Sequence, residues 1–182
     1  MLRPLYSVLF KLTGWKISWQ FPKGLKKFII AVAPHTSNWD FLVGVAARSL
    51  LRIQKARFLG KSSLFKPPFG FFFRWLGGYP VDRSRSEDKV AQAVALFNAH
   101  DEFILAIAPE GTRKKVERLK TGFYYIARNA GVPIIPVGFD FKGKMIKIGQ
   151  PLYPGNDLDK DMFALTTFYR SVTGKNPSLG IN

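Results

Sequence analysis

Three runs of this chain, residues 28–33, 103–108 and 132–139, are apolar at nearly every position. A strand with one face in water alternates apolar and polar residues, whereas a strand buried on both faces does not. These runs therefore require a sheet covered on both sides. The segments between them supply the cover. Residues 40–53, 84–99, 121–129 and 158–172 read as helices, the second opened by Ser84 and Glu87 at capping-box spacing. Strands alternating with helices predict an α/β fold: a single domain with a central mixed, largely parallel sheet flanked by helices. Shorter strands are expected at 55–60, 79–82 and 145–148, the last entered through the turn Lys142-Gly143-Lys144. Trp15, Ile17, Trp19 and Phe21 alternate with polar residues, which predicts an amino-terminal strand with one buried face. A turn at 22–26 follows it, so a hairpin is expected at each end of the sheet. One domain is expected over 1–182, since no repeat, linker or second domain is visible in the sequence.

Charge narrows the partners. Twenty-eight basic residues against twelve acidic ones give +16, a field that attracts nucleic acid, an anionic bilayer or an acidic carrier protein. Seventeen Phe and four Trp exceed what a core of this size needs, and exposed aromatics beside Lys and Arg favour a membrane interface. Leu5, Val8, Leu9 and Leu12 repeat at helical spacing, so residues 1–13 are expected to form a short amphipathic, membrane-facing segment. The same spacing also suits a helix packed on its own domain. Residues 64–77 are rich in Phe and carry only Lys66 and Arg74 as charges. No apolar run reaches the length of a spanning helix, and Lys11 and Lys16 interrupt any signal-like stretch. The chain is expected to lie on a membrane, not to cross it. The absence of cysteine removes disulfides, thiolate metal sites and a thiol nucleophile together. Nucleic acid is not an expected partner, because no zinc, helix-turn-helix or RNA-binding signature accompanies the charge.

Chemistry is expected where polar residues directly follow buried strands. Two segments do so: Pro34-His35-Thr36-Ser37-Asn38-Trp39-Asp40 and Pro109-Glu110-Gly111-Thr112-Arg113. A carboxylate at Asp40, five residues past His35, can curl back to the imidazole, set its tautomer and leave the opposite nitrogen free to take a proton from an alcohol. By spacing alone, Asp40 could equally cap its helix and His35 be an ordinary loop histidine. A metal-assisted hydrolase built on His35, Asp40 and Glu110 has a sparse ligand set, and no metal is expected.

The segment His35-Thr36-Ser37-Asn38-Trp39-Asp40 resembles the HX4D signature of the glycerolipid acyltransferase family, which includes the bacterial 1-acylglycerol-3-phosphate acyltransferases. Three further blocks follow in the family's order: Gly78-Tyr79-Pro80-Val81-Asp82-Arg83, Ala108-Pro109-Glu110-Gly111-Thr112-Arg113, and Val132-Pro133-Ile134-Ile135-Pro136-Val137. The stretch from 61 to 70 also matches a common family segment. The resemblance implies that His35 is the general base and Asp40 its orienting partner. It implies that Glu110 and Gly111 shape the acceptor site, and that Arg83 and Arg113 bind an acceptor phosphate, with Lys61 a further candidate. Thr112 binds substrate or holds the loop. The fourth block would help form the acyl or donor site, although Ile134 and Ile135 suit a core equally well. No cofactor is implied: acyl-ACP or acyl-CoA is the co-substrate and a lysophospholipid the acceptor. Localisation is expected to be peripheral, on the cytoplasmic side of the membrane. Pro34 stands where the better-known lysophosphatidate enzymes often have Asn, which keeps another acceptor, such as a lyso-aminolipid, open.

Overall fold

The computed structural model describes residues 3–19, 21–22, 24–81 and 86–181. Seven strands form one sheet in the order β1-β7-β6-β2-β5-β3-β4. They are β1 (Lys16–Ile17), β2 (Lys27–Val32), β3 (Ala56–Lys61), β4 (Gly78–Val81), β5 (Phe103–Ile107), β6 (Ile134–Asp140) and β7 (Met145–Ile148). The helices are α1 (Arg3–Thr13), α2 (Trp39–Leu50), α3 (Gly70–Trp75), α4 (Ser86–Ala99), α5 (Gly122–Ala130) and α6 (Leu158–Arg170). The fold class is the one the apolar runs predict.

The three apolar runs are the central strands, and their side chains divide by alternation. Ile29 and Ala31 of β2 face a core shared with Leu105, Ile134, Phe97, Tyr124 and Tyr169, under α4, α5 and α6. Phe28 and Ile30 face a second core with Ile135, Val137, Phe139 and Ala47, where Phe10 of α1 also packs. Burying each such side chain contributes about 1.5–3 kcal/mol, which is why both faces stay covered. The fourth sequence block lies inside these cores: Ile134 and Ile135 are fully buried, so they support the sheet and do not line an open pocket.

The amino-terminal edge differs from expectation. Among the described residues of this edge only Lys16 and Ile17 form strand, and β1 pairs with β7 in parallel, Lys16 opposite Met145, and not with β2 as a hairpin would require. Among the described strands, β6 and β7 alone pair antiparallel. The physical reason is competition for the edges of β2. β5 and β6 already occupy both, so the chain from β1 must find its partner at the sheet's end, where β7 is four residues long. Trp19 is accordingly exposed. Ser84 of the expected capping box lies outside the described residues.

Strand register positions the site. β2 and β5 run parallel with Ala31 opposite Ile107, so the loops that leave them emerge side by side. His35 is four residues beyond this pair on one strand, and Glu110 is three beyond on the other.

Candidate active site

The first loop folds around Asp40. Its Oδ2 accepts hydrogen bonds from the backbone N–H of Thr36 at 2.8 Å and of Ser37 at 2.9 Å. It also lies 3.0 Å from His35 Nδ1. Asp40 stands in the first turn of α2 and is only 2% exposed, so its carboxylate is out of a substrate's reach. It ties off two amides of the loop ahead of α2 and holds the imidazole; the cap position itself is Asn38, so Asp40 orients the loop and does not cap the helix. Because a carboxylate oxygen only accepts, this contact assigns the proton to Nδ1 and leaves the Nε2 lone pair facing outward. The His35 side chain retains 23% of its surface, enough to meet a ligand.

The second loop closes on the first. Glu110, also 2% exposed, accepts from the His35 backbone N–H at 2.6 Å through Oε2. Burial pushes its carboxyl above the usual carboxylate range, and the bond from His35 N–H opposes that rise. Glu110 thus grips the catalytic loop by its backbone. Arg113 Nε–H donates to His35 Nε2 across a long 3.4 Å contact, a permanent cation that an arriving hydroxyl would have to displace from that nitrogen. Gly111 holds φ +66°, a left-handed turn that suits glycine. Thr112 is half-buried, and its Oγ1 accepts from Lys114 N at 3.2 Å, so it holds the loop.

The remaining expected residues are less defined. Lys61 ends β3, opposite Val81 of β4, on the far side of β5 from β2, and only its backbone is described. Arg83 lies outside the described residues. Sequence reasoning missed three contributors. Tyr169, fully buried in α6, donates its hydroxyl to Ala31 O at 2.8 Å and braces the end of β2. Asn176 bonds Thr36 twice. Thr36 itself is 3% exposed, inside the loop. Thr36 falls at a variable position of the HX4D segment and Tyr169 inside a helix, where neither spacing shows its contact, and no motif covers Asn176. Among the described residues no cluster of three His, Cys, Asp or Glu side chains could hold a metal ion. A cleft of about 670 Å³, lined by Lys26, Arg57 and His100, lies at the opposite end of the sheet and contains none of these groups.

The His35 imidazole thus has Nδ1 on a buried carboxylate and Nε2 beside an arginine, at the carboxyl ends of parallel strands, the arrangement that general-base chemistry on a hydroxyl requires. Comparison with known proteins places the chain. The acyltransferase family model matches residues 17–140, and the chain belongs to that family. It is 30% identical over 141 residues to a 1-acyl-sn-glycerol-3-phosphate acyltransferase of Haemophilus influenzae, covering 72% of this chain and 57% of that protein. It is likewise 30% identical over 141 residues to the enzyme of that name from Escherichia coli, covering 73% and 56%. The chain thus spans a little over half the length of the curated relatives it matches. Among solved structures, the 1-acyl-sn-glycerophosphate (LPA) acyltransferase PlsC from Thermotoga maritima shares the fold. Its TM-score is 0.62 at 22% identity, over 94% of this chain and 77% of that one.

Proposed function

We propose that this protein is a peripheral membrane O-acyltransferase. It transfers a fatty acyl group from acyl-ACP or acyl-CoA to the free hydroxyl of a lysophospholipid, 1-acylglycerol-3-phosphate being the acceptor and phosphatidate the product. The observation that carries the reading is the His35 imidazole, held by Asp40 at Nδ1 with Nε2 directed outward beside Arg113. Nε2 takes the proton of the acceptor hydroxyl as its oxygen attacks the thioester carbonyl. The tetrahedral intermediate then collapses, the C–S bond breaks, and the leaving thiolate recovers the proton from Nε2. Asp40 supports the transient imidazolium. Such general-base assistance is worth about 10²–10⁴ in rate. Arg113 supplies a planar fork for an acceptor phosphate. The names of the relatives favour lysophosphatidate as acceptor.

The membrane part of the reading rests on the surface. Sixteen large hydrophobic side chains are exposed among the described residues, and twelve belong to α1, the start of α2 and the segment from 62 to 75. In α1, Leu5, Val8, Leu9 and Leu12 form a stripe that faces solvent, while Phe10 turns to the core. In the third segment Phe69, Phe71 and Trp75 stand out furthest. The first 81 residues contain thirteen Lys or Arg and one acidic residue, the buried Asp40. Exposed apolar side chains within so basic a stretch of chain suit an anionic bilayer such as the cytoplasmic leaflet, where each basic residue near the surface adds about 1 kcal/mol. No helix among the described residues is long and apolar enough to cross a membrane.

The test is thiol release from palmitoyl-CoA and from an acyl-carrier thioester, with vesicles containing lysophosphatidate or other lysolipids. Release should depend on the acceptor and vanish in His35→Ala. A lyso-aminolipid that outperformed lysophosphatidate would reassign the acceptor. Equal rates for His35→Ala and wild type in every pairing would refute the mechanism. Sedimentation with anionic vesicles should weaken at least tenfold in Phe71→Asp/Trp75→Asp, and unchanged binding would remove the membrane reading.

A further inference from the structure

The segment after α6 is tied to the catalytic loop by contacts that no sequence motif covers. Thr173 N–H donates to Asp140 Oδ1 at 3.3 Å, and Thr173 O accepts from Phe141 N–H at 2.8 Å, which anchors the segment at the end of β6. Lys175 Nζ lies over the Phe141 ring, 5.8 Å from its centroid. The next residue, Asn176, reaches Thr36. Its backbone N–H donates to Thr36 Oγ1 at 3.2 Å, and its side-chain Nδ2 donates to Thr36 O at 2.8 Å. Thr36 N–H is meanwhile bound to Asp40 Oδ2. Every polar atom of Thr36 is therefore engaged, the amide by the residue that orients the imidazole and both oxygens by Asn176. Gly174 lets the segment come this close, since a Cβ there would stand 2.8 Å from Thr36 Oγ1 and 3.2 Å from Pro34 Cγ.

We propose that Asn176 is a positioning residue for His35. The turn from 173 to 179 is a strap that clamps Thr36 from the side opposite Asp40, so that the loop carrying His35 has one conformation, with Nδ1 on Asp40. The inference deepens the acyl-transfer reading and rests on it. Three features separate it from generic packing. Asn176 is itself exposed, so its side chain fills no cavity in the core. Its amide reaches a main-chain carbonyl, which no substitution at Thr36 can remove. And the bonded residue is the immediate neighbour of His35. A loop oxygen left without its donor lets the loop rotate, and displacement of a reacting group by about 1 Å costs up to roughly 10² in rate.

The experiment pairs kinetics with nitrogen spectroscopy. The chain contains only two histidines, so the ring nitrogens of His35 and His100 can be followed together, His100 serving as internal reference. In Asn176→Ala, kcat for acyl transfer should fall about 10–100-fold, with KM for acceptor and donor within about twofold. The His35 ring signals should shift from the Nδ1–H tautomer towards a mixture while those of His100 stay put, and thermal unfolding should remain cooperative. Asn176→Asp keeps size and exposure but turns the donor into a charged acceptor that faces Thr36 O, so it should lose at least as much. Wild-type kcat in either variant, or unchanged His35 signals, would overturn the proposal. So would a proportionate rise in KM or loss of cooperative unfolding in both variants, which would make the strap a support of the fold in general. His35→Ala in the same series separates the two readings. If it is inactive while Asn176→Ala is not impaired, only the strap fails. If it matches wild type, acyl transfer through His35 fails, and the ring signals alone decide the strap.

Discussion

Replacing Asp40 by Asn separates the charge of this residue from its geometry. All three donors, Thr36 N–H, Ser37 N–H and His35 Nδ1, converge on the single oxygen Oδ2. An asparagine can present its carbonyl oxygen there and put its amino group where Oδ1, buried and without a hydrogen-bond partner among the described residues, now stands. The loop keeps its bonds, so the variant should unfold within about 1 kcal/mol of wild type. What is lost is the attraction for the imidazolium formed as the hydroxyl gives up its proton. The contact is 3.0 Å, but each charge is spread over its group, so the effective separation is about 4–5 Å. At an effective dielectric near 20 this corresponds to about 3–4 kcal/mol, taken at its lower end because His35 is partly exposed to water. At about 1.36 kcal/mol per decade, kcat should fall roughly 10²–10³-fold. KM should barely move, since a residue 2% exposed cannot touch substrate. Steady-state thiol release with lysophosphatidate vesicles, beside a urea titration, measures both. An Asp40→Asn enzyme within tenfold of wild-type kcat and equally stable would refute the electrostatic role. Asp40→Ala should also destabilise, by about 1–3 kcal/mol for each buried amide left unpaired.

Glu110 should show itself in the pH dependence of stability. Burial raises its folded-state pKa, so its contribution is greatest below the ordinary carboxylate range and declines as pH rises through the raised value. Glu110→Gln keeps an acceptor for His35 N–H and removes the ionisation, so its unfolding midpoint relative to wild type should climb from pH 4 to pH 8; a constant difference would contradict this. Arg113→Ala should raise KM for a phosphate-bearing acceptor about 10–100-fold and leave KM for an uncharged acceptor nearly unchanged, because a charge-assisted bond is worth about 1.5–3 kcal/mol. Equal effects on both acceptors would count against phosphate binding. Gly111→Ala should cost about 1–2 kcal/mol in denaturant titration, given φ +66° and a Cβ that would meet Lys120 Nζ at 2.9 Å.

Much of this protein was legible along the chain because its determinants are local. The unbroken apolar runs became β2, β5 and β6, since a strand buried on both faces has no polar positions to spare. The His35–Asp40 pairing was readable because both lie in one loop and one helix turn, five residues apart. That Ile134 and Ile135 belong to the core, and not to a pocket, required knowing that β6 sits beside β2 in mid-sheet.

What the sequence alone determined, then, was most of the elements, the family and the pairing of His35 with Asp40. Tertiary structure decided which distant groups complete the site. Glu110 meets His35 N–H across 75 residues, and Asn176 meets Thr36 across 140. Both contacts exist only because parallel pairing of β2 with β5 and with β6 brings three chain segments to one end of the sheet. The same competition for strand edges turned the expected amino-terminal hairpin into a two-residue parallel contact with β7. Residue spacing encodes a turn or a helix face, because these span a few bonds. Register between strands far apart in the chain is set by how whole layers pack, and no short stretch of sequence contains it.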